Sequence, residues 1–159
     1  MLPKPPKRPR KPSKPLQRTK RPRRARKSSL AALKRTLWAL LKAYVRGRDG
    51  NTCVTCGATG LEGSNWHTGH CIRRAGHAST AYDPKNIHSQ CGKCNILLDG
   101  NGPEYVEFVI QRYGRGEFMR MLDRSRQTKN WTRPELEYLI EAARKGGADY
   151  ESAYYERYL

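Results

Sequence analysis

The chain has few of the residues that build large hydrophobic cores. Its 159 residues include two Phe and three Trp, and 36% of them are hydrophobic. One small domain with appendages fits this length, and a core of this size usually needs a staple such as disulfides or a metal. No run of 18 apolar residues occurs, and the basic N-terminus is not followed by the uninterrupted apolar h-region of a signal peptide. We therefore expect neither a membrane-spanning helix nor a secretory signal peptide.

Acidic residues are missing from residues 1–48. That stretch contains 18 Lys or Arg and no Asp or Glu, whereas residues 49–159 contain 14 basic and 14 acidic residues. The net charge of +18 is therefore a property of one end of the chain. A polyanionic partner that contacts this end is the expected consequence.

Residues 1–28 predict a disordered, extended arm. Seven Pro and thirteen Lys or Arg lie in the first 27 residues, so the segment buries no apolar surface and its charges repel one another. We interpret it as an arm that binds nucleic-acid phosphates without reading sequence, because dense positive charge releases counterions from DNA or RNA. A solubility tail and a nuclear-localisation signal remain open, whereas the frequent Pro disfavours a transit peptide. The arm residues predicted to bind DNA are Arg21, Arg23, Arg24, Arg26 and Lys27.

Residues 29–47 predict an amphipathic helix that starts at a Ser28 or Ser29 cap and ends at Gly47. Its apolar stripe either packs on the helix predicted for residues 103–114 or pairs with a second copy of the chain. The stripe consists of Leu30, Leu33, Leu37, Leu41 and Tyr44, with Trp38 and Val45 beside it.

Helical periodicity returns in residues 103–146, which predict a helical C-terminal part. Its last helix begins at a Thr132 cap with Pro134 in the first turn, and it ends at Gly146. The Tyr-rich tail, residues 147–159, is expected to fray.

Four of the five cysteines form two CxxC pairs, which together supply the four thiolates of a tetrahedral zinc site. Four protein ligands leave no open position on the ion, so this zinc would be structural. Two disulfides are the alternative, and the missing secretion signal disfavours them. Cys71 is predicted to be a small, partly buried residue and not a fifth ligand. The predicted ligands are Cys53, Cys56, Cys91 and Cys94.

Residues 48–102 predict a zinc-binding module with a further unit between its CxxC pairs. Residues 66–72 are expected to be extended and to turn back through residues 73–76, giving a hairpin, and a short helix is expected at about residues 93–98. A His on the hairpin and Asn95 would then face each other. This order resembles the ββα-metal arrangement of HNH nucleases. The predicted fold class is α+β: a zinc-stapled HNH (ββα-metal) module flanked by helices, with a disordered basic N-terminal arm.

Residues 44–145 carry an ordered set of motifs that runs from the Cys53–Gly57 knuckle through Trp66, Gly69-His70 and Asn86–Asn95 to Tyr105 and beyond. This set resembles the NinG/Rap recombination proteins of lambdoid phages. The resemblance implies a structure-specific DNA endonuclease that acts on branched recombination intermediates such as Holliday junctions. It also implies a phage-encoded protein in the cytoplasm of the bacterial host. The motifs are Cys53–Gly57, Trp66, Gly69-His70, Asn86–Asn95 ("NIHSQCGKCN"), Gly100-Asn101, Tyr105, "RYG" at 112–114 and "NWTRPELEYL" at 130–139.

Roles for single residues follow from the same resemblance. His70 would be the general base, and a neutral imidazole with a pKa near 6.5 suits that task. Asn86 would be the middle Asn, which we expect to brace the hairpin loop, and Asn95 would lie beside a catalytic Mg²⁺ or Mn²⁺. Many HNH enzymes carry an acidic ligand before the base, where this chain has Gly69; His67 is the candidate substitute.

Interpretations without a catalytic role also remain open for these side chains. His67 and His70 would otherwise form a second zinc site or lie on the surface, and His88 is a further candidate for a catalytic role. His77 is expected to be exposed, and a position close to DNA, together with Arg73 and Arg74, is the functional interpretation.

Three functions compete at this level. The first is the nuclease, the second a non-catalytic zinc-binding protein that binds nucleic acid, and the third a phage regulatory protein with a decayed site. A four-way junction presents two near-equivalent strands, so a resolving activity predicts a homodimer, with the stripe of residues 30–44 as the expected pairing surface.

Removal of residues 1–27 is expected to weaken binding to every DNA and to lower its salt dependence, because thirteen cations are lost. The preference for branched over linear DNA should persist, since a Pro-rich disordered segment has no fixed shape with which to recognise a junction. Binding titrations at several salt concentrations, on the full and the shortened chain, measure both effects. An unchanged salt slope would disprove the role of the arm.

Overall fold

The computed structural model describes residues 28–158, so the predicted arm and its five DNA-binding residues lie outside the described residues. Five α-helices surround one two-stranded hairpin in this part of the chain. This arrangement confirms the α+β class. The elements are α1 (Leu30–Asp49), β1 (Trp66–His70), β2 (Ile87–Cys91), a π-helical turn (Lys93–Leu97), α2 (Gly102–Tyr113), α3 (Arg115–Ser125), α4 (Arg133–Lys145) and α5 (Gly147–Tyr155), with 3-10 turns at Gly63–Asn65, Ala78–Thr80 and Glu156–Tyr158.

The stripe of α1 forms the centre of the main core. Ser29 caps the helix by accepting a hydrogen bond from Ala32 N (3.2 Å). Leu37 and Leu41 are fully buried, and α1 packs against α4 and β2 instead of the predicted helix 103–114. The stripe is therefore covered by the chain itself, so the proposed pairing surface is wrong, and a homodimer that uses another surface stays a prediction.

The end of α1 lies beyond Gly47, contrary to the sequence expectation, because side chains of its last turn form hydrogen bonds to β2 and to the loop before it. The Arg48 guanidinium binds the Asp49 carboxylate (2.7 Å) and donates to the carbonyls of Pro84 (2.7 Å) and Ile87 (2.5 Å). Asp49 Oδ2 accepts from Ser89 N (3.0 Å). These long-range bonds favour two further helical residues, and Gly50, at a φ of +65°, then ends the helix.

The hairpin separates two chemically different faces. β1 and β2 pair antiparallel, with Trp66 opposite Cys91 and His70 opposite Ile87. Because side chains alternate along a strand, His70 and Ile87 share the face that lies on α1. Gly69 and Gln90 belong to the opposite face, on which the π-helical turn lies.

The C-terminal helices partly follow the sequence expectation. α4 begins with a capping box in which Thr132 N donates to Glu135 Oε2 (2.8 Å), as its sequence predicts. The expected fraying after residue 146 is wrong, since Tyr150 and Tyr154 of α5 are 1% and 0% exposed. Their rings fill the main core while their hydroxyls donate to the carbonyls of Tyr82 (2.6 Å) and Ser79 (2.7 Å).

Within residues 28–158, no helix is both long enough and apolar enough to span a bilayer.

Tyr150→Phe is expected to lower the free energy of unfolding by about 1–2 kcal/mol, because the Tyr82 carbonyl loses its buried donor. Tyr138→Phe is the matched control, since the Tyr138 side chain is 45% exposed, and it should change stability by less than about 0.5 kcal/mol. Urea unfolding in the presence of zinc compares the two variants. Equal effects would show that the hydroxyl of α5 does not anchor this helix.

Candidate functional site

Four cysteine side chains meet at one end of the hairpin, as their spacing predicts. Cys53 and Cys56 follow α1, Cys91 ends β2, and Cys94 lies in the π-helical turn. All four sulfurs lie within 4.8 Å of one another, and Cys56 Sγ is 3.8 Å from Cys91 Sγ. A tetrahedral ion with bonds of about 2.3 Å holds its sulfurs about 3.8 Å apart. The cluster could therefore hold a metal ion, consistent with structural zinc.

Groups around the cluster favour thiolates over disulfides. Thr55 Oγ1 lies 3.1 Å from Cys53 Sγ, and Cys94 N donates to Cys91 Sγ at 3.4 Å. All five cysteines are free. The predicted leftover, Cys71, is half-buried beside α2 and α3, and burial raises the pKa of its thiol to about 12. Among residues 28–158 the four cysteines form the one group of three or more His, Cys, Asp or Glu side chains placed to share an ion.

His70 is held in one tautomer on the opposite side of the hairpin from the π-helical turn. Its Nε2 lies 3.1 Å from the carbonyl oxygen of Ala81. A carbonyl only accepts hydrogen bonds, so Nε2 carries the proton and Nδ1 has the lone pair. The ring stacks on Trp38 with centroids 5.2 Å apart and planes 11° from parallel. Burial, assisted by the charge of Arg74, lowers the pKa of His70 to about 4, so the imidazole is neutral at pH 7.

Asn86 ties together the loop that joins the two strands. Its side chain is fully buried. The Oδ1 atom accepts from Ile72 N (2.6 Å), while Nδ2 donates to the carbonyls of Ile72 (2.9 Å) and Thr80 (3.0 Å). This loop carries Ala81, the partner of His70, so Asn86 indirectly orients the imidazole.

Gln90 fills the space in which an acidic side chain at position 69 would lie. A Cβ atom added to Gly69 would overlap the Gln90 carboxamide and come within 3.0 Å of Asn95 Nδ2. Gln90 is fully buried, accepts from Asn95 Nδ2 (3.0 Å) and donates to the Gly100 carbonyl (2.8 Å). Gln90 therefore takes the space that the acidic ligand of many HNH enzymes would need at position 69.

His70 and Asn95 do not face each other, contrary to the sequence expectation. Asn95 contacts Gln90 on one face of the hairpin, whereas His70 stacks on Trp38 on the other. The backbone of Gly69 and His70 lies between the two side chains, because consecutive strand residues point in opposite directions.

A hydrogen-bond relay that the sequence did not reveal holds the peptide group before His70. The Tyr105 hydroxyl donates to the Gly69 carbonyl (3.0 Å), so its oxygen accepts from His88 Nδ1 (3.1 Å). His88 Nε2 then accepts from the Tyr113 hydroxyl (3.0 Å). Burial keeps the pKa of His88 well below its usual value, so the neutral ring sustains this direction. Two tyrosines at the spacing of α2 were the only sequence signal.

The remaining predicted residues occupy separate places. His67 Nε2 lies 2.9 Å from the Ser64 carbonyl, and His67 and His70 lie on opposite faces of β1, so they do not meet in a second metal site. His77 is half-buried and not exposed as expected, because its Nδ1 bonds the Ser125 carbonyl (3.0 Å) at the end of α3. Arg73 pairs with the exposed Asp99, and the Arg74 guanidinium lies 5.8 Å from the centre of the Trp38 ring.

These features define a helical protein with a small hairpin and, at one end of it, a cluster of four cysteines that could hold a metal ion. A family model described as "Bacteriophage Lambda NinG protein" matches residues 4–150. The chain belongs to the NinG family, as the motif order predicts.

Individual relatives agree with this assignment. The chain is 30% identical to protein ninG of Escherichia phage 933W over 109 residues, which cover 65% of this chain and 53% of that protein. It is 33% identical to protein ninG of Salmonella phage P22 over 91 residues, which cover 54% of this chain and 44% of that protein. For protein ninG of Escherichia phage lambda the identity is 29% over 109 residues, which cover 65% of this chain and 52% of that protein. The chain thus spans about half the length of the curated relatives it matches. No solved structure matches it.

Changing any one of the four clustered cysteines to Ala is expected to abolish zinc binding and unfold the module, since metal binding supplies much of the folding free energy of such small sites. Cys71→Ala is the control and should retain one zinc per chain, because its sulfur is not in the cluster. Elemental analysis together with circular dichroism measures both properties. A wild-type chain without zinc, or an intact fold in any of the four variants, would contradict the assignment.

Proposed function

We propose that the chain is a structure-specific DNA endonuclease that cuts branched recombination intermediates, with His70 as the general base. It would act in the cytoplasm of the bacterial host. Membership of the NinG family supports a role on phage DNA. The hairpin followed by a helical turn supports the ββα-metal interpretation.

The lone pair on His70 Nδ1 is the observation that carries the proposal. Nε2–H is committed to Ala81 O, so Nδ1 is the atom that takes a proton. Within residues 28–158 no donor occupies Nδ1. Stacking on Trp38 and the loop brace at Asn86 hold the ring in place, and a positioned base is what activation of a water molecule requires.

The depressed pKa of His70 has a cause that substrate binding would partly remove. Burial is the largest cause of the low pKa, and the positive charge of Arg74 lowers it further. A DNA phosphate beside Arg74 would neutralise that charge and favour the protonated imidazole, which raises the pKa towards the working pH. The base would therefore become stronger when the substrate arrives.

The predicted Mg²⁺ or Mn²⁺ does not fit the residues around Asn95 as a resident ion. Gln90 fills the position of the acidic ligand, and Asn95 uses its amide N–H to bond Gln90. Hard divalent cations prefer carboxylate, carbonyl and water oxygens. Dependence of cleavage on Mg²⁺ or Mn²⁺ stays a prediction, which the cleavage assay tests.

The same filled position favours a second candidate function. A site without its acidic ligand and with a strongly depressed His pKa suits a zinc-stapled protein that binds nucleic acid without cutting it. In this second function the basic residues also bind nucleic acid, but His70 takes no proton.

His70→Ala is expected to lower the rate of branched-DNA cleavage by about 100-fold or more while leaving DNA affinity within a few fold, because a general base contributes to rate and not to binding. His67→Ala is the control, since its ring bonds only the nearby Ser64 carbonyl among the described residues. Single-turnover cleavage of junction and linear DNA, with Mg²⁺ or Mn²⁺, measures the rates, and circular dichroism checks the fold.

The pH dependence gives a second test of the same residue. The base must be unprotonated, so kcat/KM should be insensitive to His70 titration above about pH 5 and should fall as pH drops through the free-enzyme pKa of about 4. Equal cleavage by wild type and His70→Ala would disprove the base assignment. Binding of branched DNA with no cleavage under either metal would favour the second candidate.

A further inference from the structure

A cleft of about 350 Å³ opens beside His70, between α1 and the loop that joins the strands. Its apolar wall includes three aromatic side chains, and its basic rim comes from α1 and the start of the loop. The volume lies in the range of small-molecule sites, about 300–1,000 Å³. The aromatic residues are Trp38, Tyr82 and Trp131, and the rim residues are Lys34, Arg35 and Arg74.

The rim charges have no acidic partner in the described part of the chain, although the Arg74 guanidinium lies over the Trp38 ring. Lys34, Arg35 and Arg74 are exposed. Eleven ion-pair contacts occur among residues 28–158, and none of them involves these three side chains. Three cations around an apolar cleft are complementary to a ligand that has an aromatic body and an anionic edge.

We infer that the cleft binds one unpaired nucleotide of a branched DNA, with its base against Trp38 and its phosphates on the basic rim. This inference rests on the proposed function and adds the feature of the substrate that the site selects. Bases stack on aromatic side chains whatever their sequence. Paired bases inside a duplex are already stacked, so only an unpaired nucleotide enters.

Trp38 connects this cleft to the proposed base. Its ring lines the cleft and also stacks on His70. A nucleotide seated in the cleft therefore brings its neighbouring phosphodiester next to the imidazole. Cutting close to an unpaired position follows from this geometry.

Other occupants fit the charges less well. The chain's own segment 1–27 carries thirteen Lys or Arg, which the rim of Lys34, Arg35 and Arg74 repels. An apolar helix from another protein would cover these cations without neutralising them. Since Lys34 and Arg35 lie in the first turns of α1, directly after segment 1–27, the segment and the rim are placed to contact the same DNA.

Fluorescence of 2-aminopurine tests the inference directly, because stacking on an aromatic ring quenches it. The full-length chain is titrated, in Ca²⁺ without cleavage, into flap DNA that carries the probe at the unpaired branch position. A linear duplex with the probe at a paired position is the reference. Wild type is expected to quench the flap probe and to leave the duplex probe unchanged.

Trp38→Leu is expected to abolish the quench and to weaken flap binding by about tenfold, while duplex affinity changes by less than about twofold. The double variant Lys34→Ala/Arg74→Ala keeps the test valid if Trp38→Leu fails to fold, because both side chains are exposed; it should also reduce flap binding preferentially. Arg120→Ala, an exposed cation on α3, is the charge control.

The outcomes separate this inference from the nuclease proposal. A quench that survives in the folded Trp38 and rim variants, or an equal loss of affinity for flap and duplex, overturns the inference even if His70-dependent cleavage is found. A Trp38-dependent quench that persists in His70→Ala supports the inference even if the chain never cuts DNA.

Discussion

The site depends on a hairpin that is too small to be stable alone. β1 and β2 have five residues each, and an isolated two-stranded hairpin is at best marginal in water. Three sets of contacts hold it: the cysteine cluster at Cys91, the Arg48 and Asp49 side chains along β2, and the relay that ends on the Gly69 carbonyl. Each one restrains a different point of the strands, so their combined effect is a rigid backbone under His70.

Division of the hairpin into two faces explains how one short motif serves both structure and proposed chemistry. On one face Gln90 packs against the π-helical turn, while the cysteine cluster, whose four thiolates would leave no ligand position for a substrate, lies at one end of the hairpin. On the other face His70 carries a lone pair on Nδ1 and contacts Trp38 and Ala81, both of which line a basic cleft. A metal ion in this cluster would stabilise the strands, while reactivity, in the proposed function, belongs to the side that faces α1.

Positive charge is divided in a similar way. The first 48 residues carry 18 of the 32 Lys and Arg, and the remainder is balanced between 14 basic and 14 acidic residues. Ion pairs such as Arg124 with the buried Asp83 (2.9 Å) use much of the basic charge of the helical part internally. The unpaired rim of Lys34, Arg35 and Arg74 is different, because it surrounds an apolar cleft. In the proposed function the arm would supply affinity for any DNA and the cleft the preference for unpaired positions.

The sequence by itself determined the features that depend on short spacings. The two CxxC pairs, the Thr132 capping box and the stripe of α1 were predictable because their residues interact within one or two turns. Tertiary structure alone decided which groups share a face, since that depends on contacts between distant positions. Gln90 occupies the place of an acid at Gly69, and α1 runs on to Asp49 because Arg48 reaches Ile87. Likewise the tyrosines of α5 are ordered only because the loop around residues 79–82 offers them carbonyls and a core.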